Sequence, residues 1–303
     1  MISALVERHI ALHLATGYLF RKQTGLLRSF ARYAQSQGDE VVRAQTALLW
    51  AAQAPTAGTR RGRLHVVCRF ARLMQAEDPC HEVPPPDVFG PQPPRRTPFI
   101  FSPEQIRDLL ETAAELGPRG SLRPKTYQTL LGLIAATGLR ISEALALRLE
   151  DVTSAALVIR RTKFKKSRFV PLHDSTSGAL DAYLLARQQY ARYDDAVFLS
   201  ERGMGLTYSA VIATFLRIVR GIDLHPGPGM PGPRIHDLRH TFAVRSLEQC
   251  AGDRDSISRH MLALSTYLGH ARLCHTYWYL EATPRLLADV AAITEAAVMR
   301  GAR

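Results

Sequence analysis

Val83-Pro-Pro-Pro-Asp-Val-Phe-Gly-Pro-Gln-Pro-Pro-Arg-Arg-Thr-Pro98 divides the chain. Proline fixes φ and has no N–H to donate, so Pro84, Pro85, Pro86, Pro91, Pro93, Pro94 and Pro98 together exclude regular helix and central strand. They favour an extended polyproline path instead. We read 84–98 as a stiff linker between a domain at 1–83 and a larger one at 99–303, a division that 303 residues support better than a single core.

Upstream of the prolines, apolar residues recur at helical spacing near Ile2 to Leu14, Leu26 to Ala34, Val41 to Ala52 and Arg60 to Ala76, which predicts an all-helical N-terminal domain. In the fourth stretch Leu64, Val67, Ala71 and Met74 share one face, and Arg60, Arg61, Arg63, Arg69 and Arg72 supply charge elsewhere. That charge is either a track for nucleic-acid phosphates or an ordinary solvated face. Downstream, Ser102, Pro103 and Gln105 give a hydroxyl cap, a proline at the first helical position and a capping-box partner, so a new domain opens there. Helical patterns continue to Ala136. Leu157 to Arg160 and Arg168 to Leu172 then read as two short strands joined by a Lys-rich turn, and helices resume from Ser177, interrupted by a Pro/Gly-rich loop from Gly221 to Pro233. The expected fold class is mainly α with a small antiparallel β-sheet (α+β).

Lys and Arg number 39 against 27 Asp and Glu, a net charge of +12, which favours a polyanionic partner. No apolar run approaches the roughly 18 residues of a membrane span, and the start of the chain lacks a secretory pattern. Cys68, Cys80, Cys250 and Cys274 show neither zinc-site spacing nor a disulfide framework, so reduced thiols, no metal and a cytoplasmic setting are expected.

Four segments of the second domain carry unusual polar residues. In Ala136-Thr-Gly-Leu-Arg-Ile-Ser-Glu143, Gly138 ends one helix and Arg140 stands before the next, with Glu143 in reach as its partner; this serves bidentate phosphate contact or a structural ion pair. Thr162-Lys-Phe-Lys-Lys-Ser-Arg168 is a cationic turn, either a hairpin tip for a DNA groove or a soluble surface. His236-Asp-Leu-Arg-His240 gathers three donors on one side of a helix, suited to an anion; as a metal site it is poor, since Asp237 stands where a zincin needs Glu. The fourth is Leu268-Gly-His270, followed by Tyr277 and Tyr279.

Taken together, in this order and at these intervals, the four segments resemble the tyrosine recombinase (integrase) family, which includes the XerC and XerD type enzymes and phage integrases. The resemblance covers roughly Pro98 to the end, and before it only the helical, basic character is similar to the family's DNA-binding core-binding domain. It implies catalytic roles for Arg140, Lys163, His236, Arg239, His270 and Tyr279, supported by Glu143 and His240, with no cofactor or metal. Tyr279 is preferred to Tyr277 as nucleophile on the family interval, and Lys163 to Lys165 or Lys166. It further implies cutting and rejoining of double-stranded DNA at a recombination site through a 3′-phosphotyrosyl intermediate. A homo- or hetero-tetramer on DNA, possible partner recombinases and a nucleoid location follow from the same scheme. Tyr-Trp-Tyr-Leu280 also resembles recombinases found in tandem trios on mobile elements. Residues 284–299, with Leu286, Leu287, Val290 and Ile293 on one helical face, pack either on a neighbour or on their own domain. The rival activities are a type IB topoisomerase, a non-catalytic DNA-binding accessory protein and a metal-dependent nuclease.

Overall fold

The computed structural model describes residues 2–17, 20–94, 96–160, 167–190, 194–224, 231–249 and 254–269, together with Thr276 and Tyr279. It divides into two compact units, 1–95 and 96–303, and the division falls inside the proline-rich segment.

The first unit contains α1 (Ile2–Ala15), α2 (Arg21–Ser36), α3 (Ala44–Ala52) and α4 (Ala57–Glu77). Its core is built from Val6, Leu27, Phe30, Trp50, Leu64, Val67, Phe70 and Met74. Two boundaries differ from the sequence expectation for identifiable reasons. Helix α2 starts at Arg21, after Phe20 in a left-handed conformation with no side-chain cap, so no hydroxyl or carboxylate marks it. Helix α3 starts at Ala44 instead of Val41, because Glu82, distant in sequence, accepts the Ala44 N–H at 2.8 Å and so caps the helix. Val42 meanwhile donates its N–H to His81 Nδ1 (3.0 Å) and accepts that of Glu82 (2.8 Å), which keeps that stretch extended.

The apolar face expected of α4 is buried as read. Its arginines do not form one free basic face. Arg60 donates to Ala54 O (2.7 Å), Arg61 to Phe89 O (3.2 Å) and Arg63 to Trp50 O (3.4 Å), so three of the five clamp carbonyls of their own unit. The proline-rich segment likewise is not a bare spacer along its whole length: Cys68 Sγ donates to Pro84 O and Phe89 packs on the first core. Cys68 and Cys80 are free thiols, and Cys250 and Cys274 lie outside the described residues.

The second unit runs α5 (Pro103–Ala114), α6 (Arg123–Thr137), α7 (Ile141–Ala146), β1 (Ala156–Ile159), β2 (Arg168–Pro171), α8 (Asp174–Arg187), α9 (Tyr208–Gly221), α10 (Ile235–Glu248) and α11 (Arg254–Leu268). The expected capping box opens α5: Ser102 Oγ accepts the Gln105 N–H (3.1 Å) and Gln105 Oε1 accepts that of Ser102 (2.9 Å), an arrangement worth about 1 kcal/mol. Helix α6 buries Leu130, Leu131, Leu133 and Ile134 and packs against α5, α8 and α10, which makes it the central element. Strands β1 and β2 pair antiparallel, Ala156 opposite Pro171 and Ile159 opposite Arg168. A smaller apolar cluster joins α10 to α11 through Val244, Leu247, Leu264 and Leu268, with the Tyr279 ring in it. Mainly α with one small antiparallel sheet is therefore the observed class. Among the described residues no helix is long and apolar enough to cross a membrane.

Candidate active site

The site begins where α6 stops. Gly138 closes the helix in a left-handed conformation (φ 63°), its N–H bonded to Ile134 O at 2.9 Å. A Cβ at this position would stand 2.5 Å from Cδ1 of Phe242, so glycine is needed for backbone shape and for space alike. Gly138→Ala is expected to cost about 2–4 kcal/mol, from left-handed strain plus overpacking. Urea unfolding measures this, and an unchanged midpoint would contradict the account.

Two residues on, Arg140 caps α7. Its backbone N–H donates to Glu143 Oε2 (3.0 Å) and its Nη1 to Glu143 Oε1 (2.8 Å), while the guanidinium also reaches Leu268 O (3.3 Å) and Gly269 O (3.4 Å). Glu143 is nearly buried and holds a second cation: Arg168 Nη1 meets Oε1 at 3.0 Å and Nη2 meets Oε2 at 2.8 Å. Burial alone would raise the Glu143 carboxyl, but the hydrogen bonds and charges of Arg168 and Arg140 outweigh it and bring it down to about 2. The carboxylate is therefore charged throughout the physiological range.

Helix α10 supplies the centre. Its first turn is fastened by Asp237, wholly buried, which accepts the Arg234 N–H (2.8 Å) and Arg234 Nη2 (3.0 Å). The residue that stood in the place of a zincin glutamate is thus spent on starting the helix. Arg239, 1% exposed, donates Nη1 to Gly138 O and Nη2 to Leu268 O, both at 2.7 Å, and is hydrogen-bonded to Tyr279. Burial, and then the charge of Arg140, lower the Arg239 guanidinium to about 10, which leaves it protonated at neutral pH. Leu268 O, at the end of α11, therefore accepts from both arginines, a favourable place for cations at the negative end of a helix.

His236 and His240 follow one turn apart with rings edge to face, centroids 4.8 Å apart, and His240 stands 5.3 Å from the Tyr279 ring in the same manner. Partial loss of hydration, then the charge of Arg239, and after it those of Arg140 and Arg234, hold His236 below the usual imidazole range against the opposing pull of Asp237. The residue nevertheless keeps surface in contact with solvent. The Tyr279 side chain is 2% exposed.

The structure thus brings Arg140, Glu143, His236, Arg239, His240 and Tyr279 around one point. Lys163, His270 and Tyr277 lie outside the described residues, as do residues 284–299. Arg168 is a member of the cluster that the motif reading passed over as the end of a charged turn. The available signal was strand alternation: Arg168 falls on the same face of β2 as buried Val170, opposite the exposed Phe169, and a cation on an inward face needs a partner.

Residues 100–285 match the phage integrase family. The chain belongs to that family. This integrase is 36% identical to the putative integrase/recombinase y4rB of Sinorhizobium fredii, over 94% of each chain. It is 32% identical to the tyrosine recombinase XerC of Pseudomonas aeruginosa strain PAO1, over 71% of this chain and 65% of that one. Among solved structures, the XerH site-specific recombinase bound to palindromic difH substrate, in a post-cleavage complex, has a TM-score of 0.63 at 18% identity, covering 91% of the integrase and 79% of that chain. The integrase of the Tn1549 transposon in complex with transposon right end DNA has a TM-score of 0.64 at 17% identity, covering 96% and 98%. At these identities the two structures speak for the fold.

Proposed function

We propose that this integrase is a site-specific DNA recombinase that cuts one strand at a time by attack of the Tyr279 hydroxyl on a phosphodiester and rejoins it by the reverse step. The observation that supports this reading most is the Tyr279 phenol hydrogen-bonded to the buried Arg239, with Arg140 beside it on the same carbonyl. A phosphodiester repels nucleophiles through its own charge. Two guanidiniums fixed by backbone carbonyls are suited to hold its nonbridging oxygens and to stabilise the charge that grows on them as phosphorus becomes five-coordinate.

In this scheme the P–O5′ bond breaks as the tyrosyl O–P bond forms, giving a 3′-phosphotyrosine and a free 5′ hydroxyl. The energy of the broken ester is kept, so a 5′ hydroxyl from another strand can attack it and restore DNA without ATP. His236 accepts the phenolic proton, and by the family resemblance Lys163 gives one to the departing oxygen while His270 adds a hydrogen bond to the phosphate. A lowered His236 remains unprotonated at neutral pH, and the negative phosphate offsets the arginine charges and makes it more basic as the proton moves.

The partner is double-stranded DNA; among the structural neighbours, the Tn1549 integrase was captured with transposon right end DNA and XerH with its palindromic difH substrate. The net charge of +12 fits it. A tetramer on the recombination site, service to a mobile element beside other recombinases, and work at the nucleoid in the cytoplasm complete the reading.

The test incubates the purified chain with nicked duplexes of randomised central sequence, then recovers DNA that remains attached under denaturing conditions. Retained DNA sharing a common sequence is the expected result. If no member of the pool is retained, the reading fails.

The selected duplex then serves for a pH profile. An imidazole of ordinary pKa near 6.5 would cut the rate roughly tenfold at pH 5.5, whereas one held well below that value is still largely an acceptor there. At limiting DNA the rate of adduct formation is therefore expected to hold nearly level from pH 7 down to 5.5. An acid limb centred near 6.5 would count against His236 as the acceptor.

A further inference from the structure

Resting on the reading above, we propose that Arg168 is a positioning residue for strand cleavage: acting through Glu143, it sets the plane in which Arg140 meets the phosphate and couples that plane to the turn at Gly269.

Each oxygen of the Glu143 carboxylate is shared. Oε1 takes Arg140 Nη1 at 2.8 Å and Arg168 Nη1 at 3.0 Å, and Oε2 takes the Arg140 N–H at 3.0 Å and Arg168 Nη2 at 2.8 Å. Arg140 meets the carboxylate with only one guanidinium nitrogen, and its remaining bonds, to Leu268 O at 3.3 Å and Gly269 O at 3.4 Å, are long, so the short bond to Glu143 is the strongest single hold on its plane. Arg168 meets it with two parallel N–H groups, which fix the carboxylate in the plane of the fork. The carboxylate in turn fixes Arg140.

One arginine would neutralise Glu143. A second adds a largely buried cation, with a side chain 13% exposed, and leaves the cluster positive. Burying surplus charge is a poor way to stabilise a fold, so the second fork is better accounted for by the geometry it imposes. The same guanidinium has another neighbour. Gly269 is left-handed (φ +65°), and a Cβ there would stand 3.0 Å from Arg168 Nη1, so the arginine lies directly against the turn that precedes His270 in the sequence. Arg168 also begins β2, the strand that follows the 161–167 segment bearing Lys163. One side chain therefore touches, or adjoins in sequence, three of the segments that the proposed chemistry requires.

The test measures single-turnover adduct formation on the selected nicked duplex for the wild type, Arg168→Met, Arg168→Lys, Glu143→Gln and the double variant Glu143→Gln/Arg168→Met. Arg168→Met is expected to slow cleavage on the order of 10- to 100-fold, the scale on which loss of an outer partner of a working ligand is felt, with DNA affinity unchanged. Lysine keeps the charge and lacks the fork, so Arg168→Lys is expected to restore little. The double variant is expected to be no slower than the slower single one, because both act along one route.

A second substrate, with a methylphosphonate at the scissile position, replaces one charged nonbridging oxygen by a neutral methyl group. The deficit of the Arg168 variants is expected to shrink on it, since less depends on the aim of Arg140. A merely structural arginine would instead lower the unfolding midpoint and slow both substrates equally. Should Arg168→Met fail to fold, Arg168→Lys carries the comparison. Wild-type cleavage together with full-speed cleavage by the Arg168 variants, or equal deficits on the two substrates, would overturn this inference alone. No adduct with the wild type would overturn the reading beneath it.

Discussion

Tyr279→Phe is expected to abolish the covalent protein–DNA adduct, and Tyr277→Phe to leave it. The substitution removes one oxygen and keeps the ring, which is 2% exposed and packed with Val244, Leu247, Leu264 and Leu268. Folding should therefore survive, with a loss of about 1 kcal/mol for the hydrogen bond to Arg239. Chemistry should not survive at all, because no other atom at that place can form the ester. A denaturing gel with labelled duplex reads the adduct, and a thermal melt confirms the fold. The opposite pattern, loss with Tyr277→Phe alone, would reverse the assignment of the nucleophile.

Arg239→Lys carries the second large effect. The guanidinium holds Gly138 O and Leu268 O at once, 2.7 Å each, while remaining bonded to Tyr279. A lysine ammonium retains the charge on a single nitrogen and cannot span the two carbonyls and the phenol in the same plane. Cleavage is expected to fall on the order of 10²- to 10³-fold, the usual consequence of losing one preorganised donor to a developing oxyanion. Stability should fall too, by about 1–3 kcal/mol, because a buried carbonyl is left without its donor. Single-turnover rates and urea unfolding, taken on the same preparation, separate the two. A variant that cuts as fast as the wild type would remove Arg239 from the proposed mechanism.

What could be read from the sequence is unevenly distributed, for physical reasons. The α5 capping box and the inward face of α4 depend on residues within a few positions of one another, so local spacing reveals them. The start of α3 does not, because Glu82 provides the cap from far along the chain. The arginines of α4 look like a free basic face until Ala54 O, Trp50 O and Phe89 O are found to occupy three of them. In the site, Gly138 followed by Arg140 and Glu143 is a local pattern and could be recognised as a cation fixed at a helix start. Arg168 is joined to that group only through the fold, and no short motif contains both. The burial of His240 and Arg239 with Tyr279, against the outward position of His236, likewise needs α10 and α11 packed together.

Glu143 stands between two guanidiniums, with a third in Arg239 close by. Among the described residues at this centre, three cations and one anion leave a surplus of two positive charges, and His236 adds none at neutral pH. An intact DNA linkage brings one negative charge, whereas the five-coordinate species formed when a phenolate adds to it bears two. On the proposed chemistry the phenolic proton stays at this centre on His236, so the total charge is unchanged while negative charge gathers on the phosphorus oxygens facing the fixed guanidiniums; these cations therefore attract the fleeting species more strongly than the resting strand, which is the condition for binding energy to appear as speed.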